Sequence, residues 1–107
     1  MSTPVLTAIV RFRLPPGQTM EAALAEVART VPLYQSAGPA LIRKAIHLDI
    51  AAGTGTSVYH WSDRAAAEGF FAMAKKHIEA ATGHAPEVEL LDTHVYVDNA
   101  SGTVTGV

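Results

Sequence analysis

The chain has 107 residues, 49% hydrophobic and 17% charged, with eight basic and ten acidic side chains and a net charge of −2. That is one domain with too much apolar material for disorder and no basic stripe to collect phosphates, so nucleic acid is not an expected partner. There are no cysteines, which excludes disulfides, thiolate metal sites and a cysteine nucleophile and fits a reducing compartment. Met1-Ser2-Thr3-Pro4 lacks a basic segment followed by an apolar stretch, and no apolar run approaches the roughly 20 residues needed to span a bilayer. The expectation is a cytoplasmic protein with no membrane partner.

Val5 to Arg13 is rich in β-branched residues and stops at Pro15-Pro16-Gly17, which reads as a first strand and a turn. Leu6, Ala8, Val10 and Phe12 share one face; Val5, Thr7, Ile9, Arg11 and Arg13 share the other. Thr19 caps a helix reaching about Thr30, with Met20, Ala23, Leu24, Val27, Ala28 and Val31 as its apolar stripe and Pro32 as its stop. A loop carrying Tyr34, Gly38 and Pro39 follows. Leu41 to Ile50 and Thr56 to Ser62 read as a hairpin across Ala51-Ala52-Gly53-Thr54-Gly55. Ser62 or Asp63 caps a second helix ending at Ala81 or Thr82, its inner face holding Phe70, Ala74, Ile78 and Ala81, with Gly83 and Pro86 marking the stop. Glu87 to Val97 reads as a fourth strand. Residues 1–99 form the expected domain, and residues 100–107 are expected to be a loose tail.

The order β-α-β-β-α-β is the split βαβ pattern of a ferredoxin-like α+β domain: a four-stranded antiparallel sheet with both helices on one face. The strands carry apolar residues on both faces, however, and two helices cover only one. A second copy packed sheet to sheet is the simplest cover, so a homodimer is expected, built as a dimeric α/β barrel.

The five-residue loop pairs Ile50 with Thr56, so that His47 faces Tyr59, Ala45 faces Trp61 and Asp49 faces Ser57. In that register Arg43, His47, Asp49, Tyr59 and Trp61 make a polar-aromatic surface of the kind that binds small molecules. A one-residue slip would reshuffle it. Each member also has a plainer reading. Tyr59 and Trp61 are good strand and core residues, His47 suits a sheet surface, and Arg43 and Asp49 suit an edge ion pair or solvated ends. His77 borders the apolar stripe of the second helix, where it could point into a pocket or toward solvent. The histidines at 47, 60, 77, 84 and 94 lack His-x-x-x-His or Glu-x-x-His spacing, so no metal site is expected. Gly53-Thr54-Gly55 is no nucleotide loop, and no Gly-x-Ser-x-Gly elbow occurs.

From Val58 to Glu68 an aromatic strand ends in Trp61, followed by Ser62-Asp63 and an alanine-rich helix. This resembles the dimeric α/β barrel superfamily of antibiotic-biosynthesis-type monooxygenases, and within it the YdhR-like monooxygenases. Pro16-Gly17, Tyr34, Gly38-Pro39-Ala40-Leu41-Ile42 and Val97-Asp98-Asn99 match further motifs of that group, so the resemblance spans about residues 5–99. It implies a homodimer with a pocket between sheet and helices. It also implies oxidation of small aromatic, quinol-like molecules by O₂ without flavin, metal or haem, the deprotonated substrate supplying the electrons. Trp61 matches the pocket Trp of that family by position. Where many members have a His about two turns into the following helix, this chain has Gly69 and Phe70.

Three functions compete. The first is a cofactor-independent monooxygenase with His47 or His77 as base, Tyr59 also at the reacting centre, and Trp61, Arg43, Phe70 and Tyr34 binding substrate. The second is a non-catalytic ligand-binding or stress-response module. The third is an O₂-independent polyketide-cyclase-like enzyme using a His/Tyr pair.

Overall fold

A computed structural model describes residues 3–107; the first two residues of the expected domain lie outside it. Its elements are β1 (Leu6–Arg13), α1 (Met20–Ser36), β2 (Leu41–Asp49), β3 (Thr54–Trp61), α2 (Arg64–Thr82), β4 (Glu87–Asp92), β5 (Tyr96–Asp98) and β6 (Thr103–Thr105). The first four strands form one antiparallel sheet in the order β2-β3-β1-β4. Each helix therefore joins two parallel strands across one intervening strand. This is the ferredoxin-like α+β fold, with α1 and α2 layered on one face.

The alternation of β1 decides where the core sits. Leu6, Ala8 and Val10 are buried toward the helices, while Thr7, Ile9 and Arg11 point to the other face. Against the buried side pack Tyr59 and Trp61 from β3 and Ala67, Phe70, Phe71 and Ala74 from α2. Tyr59 meets Phe71 edge to face with centroids 4.9 Å apart, and Trp61 and Phe70 pack as a tilted pair at 5.4 Å.

Asp63 caps α2 by accepting a hydrogen bond from the Ala65 amide at 2.9 Å, and Gly83 ends it at φ +79°, a conformation that favours glycine. Thr19 caps α1 through the Ala22 amide at 3.1 Å. The expected stop at Pro32 does not occur, and α1 runs on to Ser36. Proline removes one helical hydrogen bond, but Tyr34 in the last turn packs on Tyr59 and Phe70, and this tertiary contact holds the turn. The inward stripe of α1 is accordingly Ala23, Val27, Thr30 and Tyr34. Met20, Leu24 and Val31 are exposed.

The β2–β3 register also differs from expectation. Asp49 accepts a hydrogen bond from the Ala52 amide at 3.0 Å, Gly53 donates to the Ile50 carbonyl at 3.2 Å, and Gly53 sits at φ +70°. These contacts close the turn early, so Thr54 opposite Asp49 is already in the strand and His47 pairs with Thr56 instead of Tyr59. The offset is three residues, an odd number, so it inverts the faces. Lys44, Ile46 and Leu48 turn toward the helices; Arg43, Ala45 and His47 turn away. A bulge between Leu41 and Arg43 returns Leu41 to the core opposite Trp61.

Strand four ends at Asp92. Residues 96–105, which include part of the expected loose tail, form the β5–β6 hairpin. It lies against the face away from the helices, where Tyr96 packs edge-on to His60 with centroids 5.4 Å apart and Asp98 pairs with Arg43 at 3.0 Å. Among the described residues no helix is long and apolar enough to cross a membrane.

Candidate functional site

A cavity of about 450 Å³ opens between the sheet and the two helices. Its floor is the inward face of the sheet: Val10 of β1, Ile46 and Leu48 of β2, and Ser57 of β3. Val27 and Thr30 of α1 form one wall and Ile78 of α2 another, with Phe12 at one end. Phe12 stands over Gly55, its cross-strand partner, at a place where a β-carbon would strike the ring. This glycine is what lets the ring lie flat against β3.

One cationic side chain lines this apolar space. Lys44 occupies the strand position two residues before Ile46, so the pleat that buries Ile46 and Leu48 also carries Lys44 inward. Its Nζ lies 2.9 Å from the centroid of the Tyr34 ring and 4.4 Å from that of Tyr59, so the two rings present their π faces to the amine. Desolvation pushes its pKa down to about 7. Burial, and then the neighbouring Tyr34, drive the Tyr59 hydroxyl well above the usual tyrosine range, so it stays a neutral donor. Glu26 is the acid on the cavity wall, and its carboxylate is engaged by Arg29 at 2.7 Å.

Of the residues expected at a site, the structure brings Tyr34 and Tyr59 together on the cavity. Trp61 and Phe70 are buried in the core beside it and do not line it; the indole Nε1 of Trp61 has no hydrogen-bond partner. Arg43 and His47 are corrected to the opposite face of the sheet by the inverted register. There Arg43 donates to Asp98 and, at 3.4 Å, to the Tyr96 hydroxyl. His77 is exposed on α2 and lies off the cavity. His60 also faces away from the helices, and burial followed by Arg43 lowers its pKa. No histidine lines the cavity, and among the described residues no three His, Asp or Glu side chains are placed to hold one metal ion.

Lys44 was missed by sequence reasoning, although a signal was present. A lysine in phase with Ile46 and Leu48 is a charge at a core position, an exception to the binary pattern of the strand.

No protein-family model matches the chain, and no curated protein matches it. Solved structures do share its architecture. A Bordetella bronchiseptica protein provisionally named an antibiotic biosynthesis monooxygenase superposes with a TM-score of 0.61 at 22% identity, covering 85% of this chain and 98% of its own. SnoaB of Streptomyces nogalater, a cofactor-independent oxygenase, gives 0.58 at 16% identity over 85% of this chain and 94% of its own. A dimeric ferredoxin-like protein from an uncultured marine organism gives 0.54 at 15% identity over 85% and 94%. At these identities the likeness is one of fold, the ferredoxin-like α+β sandwich.

Proposed function

We propose that the protein is a cofactor-independent monooxygenase of the YdhR-like kind that oxidises a small aromatic, quinol-like substrate with O₂ in the helix-side cavity. The observation that carries this reading is the cavity itself: about 450 Å³, apolar, walled by Tyr34 and Tyr59, and holding a half-buried amine. A planar ring of two or three fused cycles fits such a volume. In the reaction a ring methylene loses a proton, and the resulting anion passes one electron to O₂. The radical pair then combines into a hydroperoxide, which loses water to leave a carbonyl. One oxygen atom ends in product and the other in water, so no external reductant is consumed. The protein's tasks are to orient the ring, exclude water and stabilise the anion. Tyr59, held neutral by burial, is a hydrogen-bond donor for the developing oxyanion.

A cyclase built on a His/Tyr pair draws no support from a cavity without histidine. The functional unit is a homodimer, closed through the sheet face that the helices leave open. O₂ uptake with anthrone and naphthohydroquinones, measured on chelator-treated protein, tests the reading. Turnover at least about tenfold above autoxidation is expected, a modest share of what enzymes achieve. No turnover across the panel, with binding retained, would instead make the protein a ligand-binding module.

A further inference from the structure

We propose that Lys44 is the group that captures the substrate, so that the cavity selects aromatic molecules bearing a weakly acidic hydroxyl, a phenol or enol, and holds them as their anions. This rests on the cavity being the functional site and adds to it a named proton acceptor and the ionised form in which the hydroxyl-bearing substrate is held.

Among the described residues the geometry leaves Lys44 without a counter-charge. Facing it from α1 are Tyr34 and, on the same wall, Glu26, whose carboxylate is taken by Arg29. From β3 comes Tyr59, whose hydroxyl burial keeps protonated. The residues that α2 adds to the cavity, Ile78, Ala81 and Thr82, do not titrate, nor do Val10, Phe12 and Leu14 of β1 and the turn after it. An ammonium here is compensated only by ring faces, and burial, which strips it of water, lowers the pKa of the amine to about 7.

A ligand carrying an acidic hydroxyl changes that balance. Transfer of its proton to Nζ converts a neutral amine and a neutral phenol into an ammonium–phenolate pair. No other bond is made or broken. Each charge then supplies what the other lacks in a low-dielectric site. The ligand's oxygen meets Nζ, and its ring lies in the apolar part of the cavity along Ile46, Leu48, Val27 and Ile78. A neutral ligand obtains none of this, and a cationic one is repelled once the amine is protonated.

The test uses 2-hydroxyanthraquinone, a planar phenol that is already a quinone, cannot take part in the O₂ reaction, and changes colour on ionisation. It is titrated into the full-length protein across a pH series, and the apparent pKa of bound probe is compared with that of free probe. A cation at contact distance lowers it by about 1 unit or more. In Lys44→Met and Lys44→Gln, with folding checked by circular dichroism, the shift is expected to vanish or reverse. An unshifted or raised pKa on the wild-type protein would overturn the proposal, as would absence of probe binding or an equal lowering in either variant. The wild-type shift decides the matter alone if neither variant folds. Because the probe consumes no O₂, a failure to oxidise anthrone leaves this result intact. Equally, an unshifted probe leaves the oxidation reading in place with some other base.

Discussion

Lys44 sits where a strand with one buried face ordinarily places an apolar side chain, and that position has a consequence for stability. Its folded pKa is about 7 against an ordinary value of 10.5. Between those values the unfolded chain binds more protons than the folded one, so the lysine's destabilising effect is full below pH 7. It is relieved as pH rises toward 10.5. Replacing it with an isosteric apolar group removes the effect. Lys44→Met is therefore expected to stabilise the protein more at pH 6 than at pH 10, by about 1–2 kcal/mol once partial exposure is allowed for. Urea unfolding at the two pH values measures this. Equal stabilisation at both would mean that the native amine is solvated. The position was legible in principle, because Lys44, Ile46 and Leu48 share a strand phase. Arg43 and His47 face the cavity only if the β2–β3 loop has five residues, and the observed hairpin closes earlier.

At the scale of elements, the caps and the order of strands and helices were legible because their signals are local. Thr19, Asp63 and Gly83 each act within a turn of their own helix. Two features were not local. The continuation of α1 through Pro32 depends on Tyr34 meeting β3 and α2, which no propensity encodes. The β2–β3 register depends on which of several turn residues closes the hairpin. Asp49 and Gly53 close it early, and three residues of slip moved the β2 side chains from Arg43 onward to the other face, while the bulge kept Leu41 in the core. Gly55, placed in the loop by sequence, lies instead in β3 under the Phe12 ring. Gly55→Ala drives a methyl group into that ring and tilts it into the cavity. A loss of about 1–3 kcal/mol in unfolding free energy is expected, typical of overpacking. Weaker binding of the phenolic probe should accompany it. A fold weakened with unchanged affinity would show that Phe12 relaxes away from the cavity.

For the whole molecule, the proposed homodimer rests on the open face of the sheet. Its centre is apolar: Ile9 pairs with Val58 on one side of β3, and Ala45 pairs with Val58 on the other. Around this centre lie the Arg11–Glu89 ion pair, Thr56 and His47, and the β5–β6 hairpin covers the end bearing Arg43 and His60. An apolar centre with a polar rim is the anatomy of a protein interface, and the partial cover given by the hairpin leaves Ile9, Val58 and Ala45 for a partner. A second copy presents the same patch by two-fold symmetry. Light scattering on the eluting protein should give twice the chain mass of 11.3 kDa. Val58→Asp places an uncompensated carboxylate at the centre of both halves and should raise the dissociation constant at least about 100-fold, since an unpaired buried charge costs several kcal/mol. Leu24→Lys serves as the control. Leu24 is 53% exposed on α1, on the far side of the molecule from the open face, so it should leave the dimer intact. If Leu24→Lys dissociates the protein and Val58→Asp does not, the helices form the contact and the open sheet face serves another purpose. If the unaltered chain elutes at its single-chain mass, the apolar centre of the sheet is covered by the hairpin alone.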